Sequence, residues 1–249
     1  MEICIDSMES ARNAIEGGAS RLEICSALSE GGLTPTAGLL KKIKSFSPIP
    51  IYAMLRTRSG NFVYSKEEMD VMLEDLKILK HHGTDGFVFG ALTSNDEIDI
   101  ESCRIVLSAA QPLPVTFHRA FDEVIDPLKS LETLIDLGFE RVLTSGQKDT
   151  AVEGLELIKK LVERAQQRII VMPGSGIAKD NILRIKMESG AKEFHASAKN
   201  RITSGGRNKI KIGASKDSCI MVSTTWRVKR NWGNFPQDEK LKYLSICNH

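Results

Sequence analysis

Short β-branched or apolar runs alternate with longer stretches of helical period along nearly all of this 249-residue chain. That alternation restricts the fold more than any other feature. The strand candidates are Glu2–Asp6, Arg21–Cys25, Ile49–Arg56, Asp85–Gly90, Val115–Arg119, Arg141–Ser145, Ile169–Met172 and Lys192–His195. Between them, Lys66–His81 sets Met69, Met72, Leu73, Leu76 and Leu79 on one face, and Leu128–Leu137 and Gly154–Ala165 repeat the spacing. Such alternation predicts a parallel sheet with crossover helices. In four places a glycine closes a helix just before a strand: Gly18, Gly83, Gly138 and Gly190. Glycine suits the left-handed residue that ends a helix. The intervals of 65, 55 and 52 residues each leave room for two β–α units, so the chain supplies eight strands. Eight close a (β/α)₈ barrel. The alternative is an open doubly wound sheet, and the absence of GxGxxG after the first strand counts against its dinucleotide-binding version.

Composition narrows the class. With 34 basic and 32 acidic side chains, a formal charge of +2, 41% hydrophobic and 27% charged residues, the chain is neither disordered nor a nucleic-acid binder relying on bulk charge. The cationic cluster Lys199, Arg201, Arg207, Lys209 and Lys211 is local and reads as a solvated loop. The N-terminus lacks the basic and apolar regions of a signal peptide, and no run of ~18 apolar residues calls for a membrane span. Five scattered cysteines without a CxxC pair point to reduced thiols and a cytosolic protein. The periodicity places a single barrel domain over 1–199 and an atypical loop and tail over 200–249, where only Gln237–Ile246 could form a last helix.

In a barrel of this type function gathers where strands end at the C-terminal mouth. Alternation puts Glu2, Cys4 and Asp6 on one face, as it does Glu23 and Cys25, Tyr52, Met54 and Arg56, Thr116 and His118, and Glu193 and His195. If these faces point inward, the upper barrel is lined by thiol, thioether, imidazole, carboxylate and guanidinium groups rather than by aliphatic layers. Cys4 and Cys25 fall on consecutive strands and could approach across them, a suitable soft site for Cu(I); both also read as small buried hydrophobes. His118 and His195 end strands five and eight, where each could act as acid, base or ligand. Gly174-Ser175-Gly176 follows strand seven with exposed amides, and Arg56, Arg58, Arg119 and Ser145 add cations and a hydroxyl, so the mouth also suits an anion. Asp122 is a candidate carboxylate for Arg119. Cys103, Cys219 and Cys247 have no evident partner.

These residues carry a resemblance. Cys4-Ile5-Asp6-Ser7, Leu22-Glu23-Ile24-Cys25, Glu30-Gly31-Gly32-Leu33-Thr34-Pro35, Asp85 to Thr93, Thr116-Phe117-His118-Arg119-Ala120-Phe121-Asp122, Arg141 to Gly146, Met172-Pro173-Gly174 and Glu193-Phe194-His195 stand in the order found in the copper homeostasis protein CutC family. The chain is most similar to the animal members, from residue 2 to about 215. The resemblance implies a TIM barrel, a homo-oligomer, a cytoplasmic location extending to the nucleus in animals, and a link to copper. It implies also that Cys4 and Cys25 match the cysteines proposed to hold Cu(I). The family's Arg-Pro-Arg is here Arg56-Thr57-Arg58, its Gly-Gly-Gly is Gly174-Ser175-Gly176, and its usual ending is replaced after Ser215.

Two functions follow as expectations. One is a Cu(I)-binding protein of copper homeostasis that buffers or handles copper through Cys4 and Cys25, with Met54 assisting. The other is an enzyme acting on a small anionic or phosphorylated molecule, with Glu23 or His118 as general base, His195 as acid or orienting group, and Arg56, Arg119, Ser145 and Gly174–Gly176 holding the anion. Guanidinium and a buried cation repel, on the order of 4 kcal/mol at ~4 Å and an effective dielectric near 20, so copper is expected away from Arg56 and Arg119.

Overall fold

A computed structural model describes residues 1–197, 199–203 and 219–223. Eight parallel strands alternate with helices: β1 (Glu2–Ile5), α1 (Met8–Glu16), β2 (Arg21–Ile24), α2 (Ala37–Lys44), β3 (Ile51–Met54), α3 (Lys66–His81), β4 (Gly86–Phe89), α4 (Ile100–Ala110), β5 (Val115–Phe117), α5 (Pro127–Leu137), β6 (Arg141–Thr144), α6 (Leu155–Ala165), β7 (Ile170–Pro173), α7 (Ile182–Ser189) and β8 (His195–Ala196). The ladder runs β7-β6-β5-β4-β3-β2-β1-β8 and so wraps a nearly closed barrel. At the remaining seam Gly174 brings β7 up to β8: a Cβ there would fall 2.5 Å from Leu143 Cδ1 and 3.4 Å from His195 Cβ. An antiparallel hairpin of β9 (Lys199–Thr203) and β10 (Cys219–Ser223) follows. Lys199–Thr203, expected in a solvated loop, is therefore strand; the rest of the expected loop and tail at 204–218 and 224–249, with the last helix expected over Gln237–Ile246, Cys247 and His249, lies outside the described residues. Among the described residues no helix is long and apolar enough to cross a membrane.

Local chemistry explains the helix starts. Ser7, Thr36, Asp99 and Asp126 each accept a backbone N–H from the first turn of their helix, and Ser65 with Glu68 forms a reciprocal capping box at α3. The four repeat glycines all have positive φ, between 73° and 90°, as a helix-ending left-handed residue requires.

The strands divide their side chains between two compartments. Outward, Ile3, Ile5, Leu22, Ile24, Ile51, Phe87, Phe117 and Val142 pack beneath the helices with Leu40, Met72, Leu76, Leu134 and Ile158. Full burial of one such side chain contributes roughly 1.5–3 kcal/mol, so this outer shell is the fold's main stabilising core. Cys103 lies here, and burial pushes its thiol up to about 12.

Inward, the barrel is polar. Near its N-terminal end Arg21 and Arg141 flank the Tyr52 ring at 5.0 and 5.2 Å, Glu193 accepts from both guanidinium groups, and Tyr52 donates to Glu140. Gly86 is required beneath that ring, because a Cβ would stand 2.6 Å from it. This ion-paired layer plugs the floor and leaves the opposite end for the site.

Candidate functional site at the barrel mouth

A cavity of about 650 Å³ opens at the C-terminal ends of the strands. Cys4, Glu23, Arg56, His118, Arg119, Ser175, Gly176 and His195 line it, so the expected inward faces converge.

At its base one sulfur, one carboxylate oxygen and one imidazole nitrogen, from Cys4, Glu23 and His195, lie within 4.8 Å of one another. The register explains this: Cys4 stands beside Glu23 across β1 and β2, and His195 stands beside Glu2 across β8 and β1. Glu2, which the sequence reading placed on the face of Cys4 without a role, positions the histidine. Its fully buried carboxylate accepts from Arg21 and meets His195 Nδ1 at 2.8 Å. Burial alone would raise the Glu2 carboxyl, but Arg21 and His195 together hold it well below the usual range. His195 Nε2 faces Glu23 Oε2 at 3.6 Å. Burial would lower its pKa, but Glu23, Cys4 and Glu2 hold it well above the ordinary value, so the ring is an imidazolium. Burial, with Glu2 adding to it against the pull of His195, raises Glu23 to about 7.

Cys25 sits one step above. It is fully buried, its thiol donates to Glu23 Oε2 at 3.7 Å, and burial, followed by the charge of Glu23, pushes it well above the usual thiol value. It packs with Met54, Tyr52 and Val88. The turn Gly31-Gly32, with φ of 85° and 92°, passes between these groups and Arg56: a Cβ at Gly32 would meet Cys25 Sγ at 3.2 Å and Met54 Cε at 3.6 Å, whereas one at Gly31 would meet Arg56 Nη1. Backbone thus lies between the Cys25 and Met54 sulfurs and the guanidinium, while Cys4 faces the same cavity as Arg56.

The residues expected to clamp an anion have different fates. Arg119 donates to Asp122 at 2.7 Å and to Ser145 Oγ at 2.8 Å, so the suggested carboxylate neutralises it. Asp122 also accepts the Ser145 amide and hydroxyl, which ties that serine into the loop. Arg58 is paired with Glu68. Ser175 and Gly176 adopt φ of 72° and 70° beside the cavity, with Ser175 Oγ on the Asp149 carbonyl. Gly174 donates its amide to Thr144 and serves the barrel seam. His118 Nδ1 accepts the Ala120 amide at 3.1 Å, which leaves the ring proton on Nε2. Burial, reinforced by Arg56, lowers its pKa to about 3, so this histidine is a hydrogen-bond donor at neutral pH rather than a base.

Relatives share this architecture. The family model described as CutC family matches residues 1–200. A human protein named copper homeostasis protein cutC homolog is 53% identical over 218 residues, 86% of this chain and 80% of its own length. The Drosophila melanogaster protein of the same name is 50% identical over 203 residues, covering 80% and 76%. The crystal structure of a CutC protein from Streptococcus agalactiae superposes with a TM-score of 0.76 at 36% identity, over 79% of this chain and 97% of that one. A phosphoribosylanthranilate isomerase from Thermotoga maritima, 13% identical with a TM-score of 0.56, shares the fold alone. By its matched residues and its barrel, this chain belongs to the CutC family.

Proposed function

We propose that the barrel mouth binds Cu(I) through the thiolates of Cys4 and Cys25 and so takes part in intracellular copper buffering or handling. The observation that carries this reading is that Cys4 Sγ lies within 4.8 Å of a Glu23 carboxylate oxygen while the Cys25 thiol donates to Glu23 Oε2 at 3.7 Å, with His195 beside them as a counter-charge. Cu(I) is soft and needs few ligands, so sulfur is its preferred partner over the harder carboxylate. Cys4 lines the cavity and is the point of entry, whereas Cys25 lies behind it against Met54.

Charge and proton balance support the same reading. Two thiolates with one Cu(I) carry a net charge of −1, which the imidazolium of His195 beside Cys4 offsets. The raised Cys25 thiol must lose its proton as the metal binds, and Glu23, titrating near 7, is the acceptor already in contact with it. The Gly31-Gly32 backbone lies between Arg56 and the Cys25 side of the proposed site. The reading extends to this chain the copper role in its relatives' names, and the homo-oligomeric state and cytoplasmic and nuclear location that the resemblance implies.

The test is an anaerobic Cu(I) titration against a chromophoric chelator. The Cys4→Ser/Cys25→Ser double variant should lose competitive binding with an unchanged circular dichroism spectrum, while Cys103→Ser, altered only in the outer core, keeps it. A folded double variant that competes for Cu(I) as well as the unaltered protein overturns the reading.

A further inference from the structure

We infer that the cavity holds a second site, separate from the thiols, at which Arg56 and His118 bind the oxyanion end of a small organic molecule, a carboxylate or a phosphate ester. Arg56 is only 6% exposed. Its guanidinium donates to three backbone carbonyls, Glu30 and Gly32 through Nη1 at 2.7 and 3.3 Å and Gly60 through Nη2 at 3.0 Å. Among the described residues no carboxylate lies within 4 Å of it, in contrast with Arg58 and Arg119, which have Glu68 and Asp122. Carbonyl dipoles orient a guanidinium but do not cancel its charge, and a buried charge without a counter-ion is costly. Its Nε–H makes no hydrogen bond within 3.5 Å, and the Tyr64 hydroxyl beside the guanidinium is likewise unpartnered.

His118 supplies the second donor. It is 3% exposed, its Nδ1 is committed to Ala120, and its Nε2–H finds no protein acceptor. The ring is fixed over Gly90, where a Cβ would stand 2.5 Å from Nδ1. Its depressed pKa keeps it a neutral donor through the physiological range. Phe62 joins the pair: the Arg56 guanidinium lies 5.0 Å from the Phe62 ring centre, and the His118 ring 4.9 Å from it.

All three side chains line the same cavity. Two buried groups that can only donate, one of them a cation with no carboxylate in direct contact and Glu123 acting on it only across the cavity, select an acceptor bearing negative charge. The cavity's 650 Å³ is the size of a small-molecule pocket and far exceeds one metal ion. Phe62 offers an apolar face to the carbon part of the ligand.

The experiment uses the copper-free protein and its Cys4→Ser/Cys25→Ser variant, so its outcome is independent of the copper reading. Melting temperature is followed with orthophosphate, glycerol 3-phosphate and malonate, each against sodium chloride at equal ionic strength. Glycerol 3-phosphate or malonate at about ten times its dissociation constant should raise the melting temperature by roughly 3–6 °C in both proteins. Arg56→Met should abolish the shift, and His118→Phe should weaken binding about tenfold. In the unaltered protein the ¹⁵N-labelled His118 Nε2–H resonance should move on titration, a readout that does not depend on the variants folding. Stabilisation no greater than that of chloride, a shift confined to orthophosphate, or a stationary His118 resonance would each overturn the assignment.

Discussion

Replacing His118 by Asn should flatten the acid limb of the protein's stability curve. In the folded barrel this imidazole is buried beside Arg56 and protonates only near pH 3, whereas in the unfolded chain it behaves as an ordinary histidine near 6.5. Between those values the unfolded state binds the extra proton. A folded pKa depressed in this way gives stability that is fully present above pH 6.5 and is lost as pH falls toward 3. The slope is about 1.4 kcal/mol per pH unit, so lowering the pH from 6.5 to 5.0 costs about 2 kcal/mol through this residue. For a chain of this size that corresponds to roughly 4–8 °C in melting temperature. The Asn Oδ1 can stand in for Nδ1 toward the Ala120 amide, so the truncation loss is the same at every pH. Urea unfolding at pH 7.5, 6.5, 5.75 and 5.0 should show the gap between the two proteins narrowing by about 2 kcal/mol toward acid. The ionisations of Glu2, Glu193 and His195 are common to both proteins and cancel. Parallel curves across the whole range would refute the argument that His118 is held neutral by burial.

Glu2→Gln leaves Arg21 and His195 without their shared buried carboxylate and should lower stability by about 3–5 kcal/mol in denaturant unfolding; a loss under ~1 kcal/mol would mean that the network is not structural. Gly154→Ala drives a Cβ to 1.9 Å from the Ser145 carbonyl oxygen, a backbone atom that cannot swing away, so the melting temperature should drop by about 6 °C or more. Because binding must displace the protons of the thiols, apparent Cu(I) affinity should rise with pH between 6 and 8, by about tenfold per pH unit for each proton released to solvent; a pH-independent affinity would exclude the Cys25 thiol as a ligand.

Much of the architecture was legible because local signals agreed. Helix α3 runs over Lys66–His81 as expected, since the Ser65–Glu68 box starts it and Gly83 at φ 83° follows its end. The seventh expected strand stops one residue short of Pro173, whereas the first six run a residue or two past the observed ones, to Asp6, Cys25, Arg56, Gly90, Arg119 and Ser145. Those positions keep the alternation of the strand but have left the ladder for the mouth. Strand eight departs most: Lys192–His195 was expected and His195–Ala196 is observed. Among the described residues the strand pairs by hydrogen bonds only with β1 and is short, and Glu193 is drawn to Arg21 and Arg141 beneath. Helix α7 begins at Ile182 rather than near Lys179, because the Asn181 side chain accepts the Ala178 amide in a preceding turn.

The candidate site was legible as a set of faces but not as a set of pairings. Alternation brought Cys4, Glu23, Arg56, His118 and His195 to one cavity. It could not show that Asp122 consumes the donors of Arg119 and Ser145, or that Arg56 is left with carbonyls alone, since both outcomes depend on how loops close. Nor could it distinguish a basic His118 from a neutral donor, because the deciding bond comes from the Ala120 amide in the turn that follows. The role of Glu2 was within reach: it shares the inward face of Cys4, and its neighbour across the sheet is Arg21.

X-ray absorption at the copper edge, on protein loaded with one equivalent of Cu(I) under anaerobic conditions, tests the central claim most directly. The account predicts a first shell dominated by two sulfur scatterers, lost in the Cys4→Ser/Cys25→Ser variant and unchanged in Cys103→Ser. A first shell of nitrogen and oxygen alone, or a sulfur signal that survives the double substitution, would contradict it.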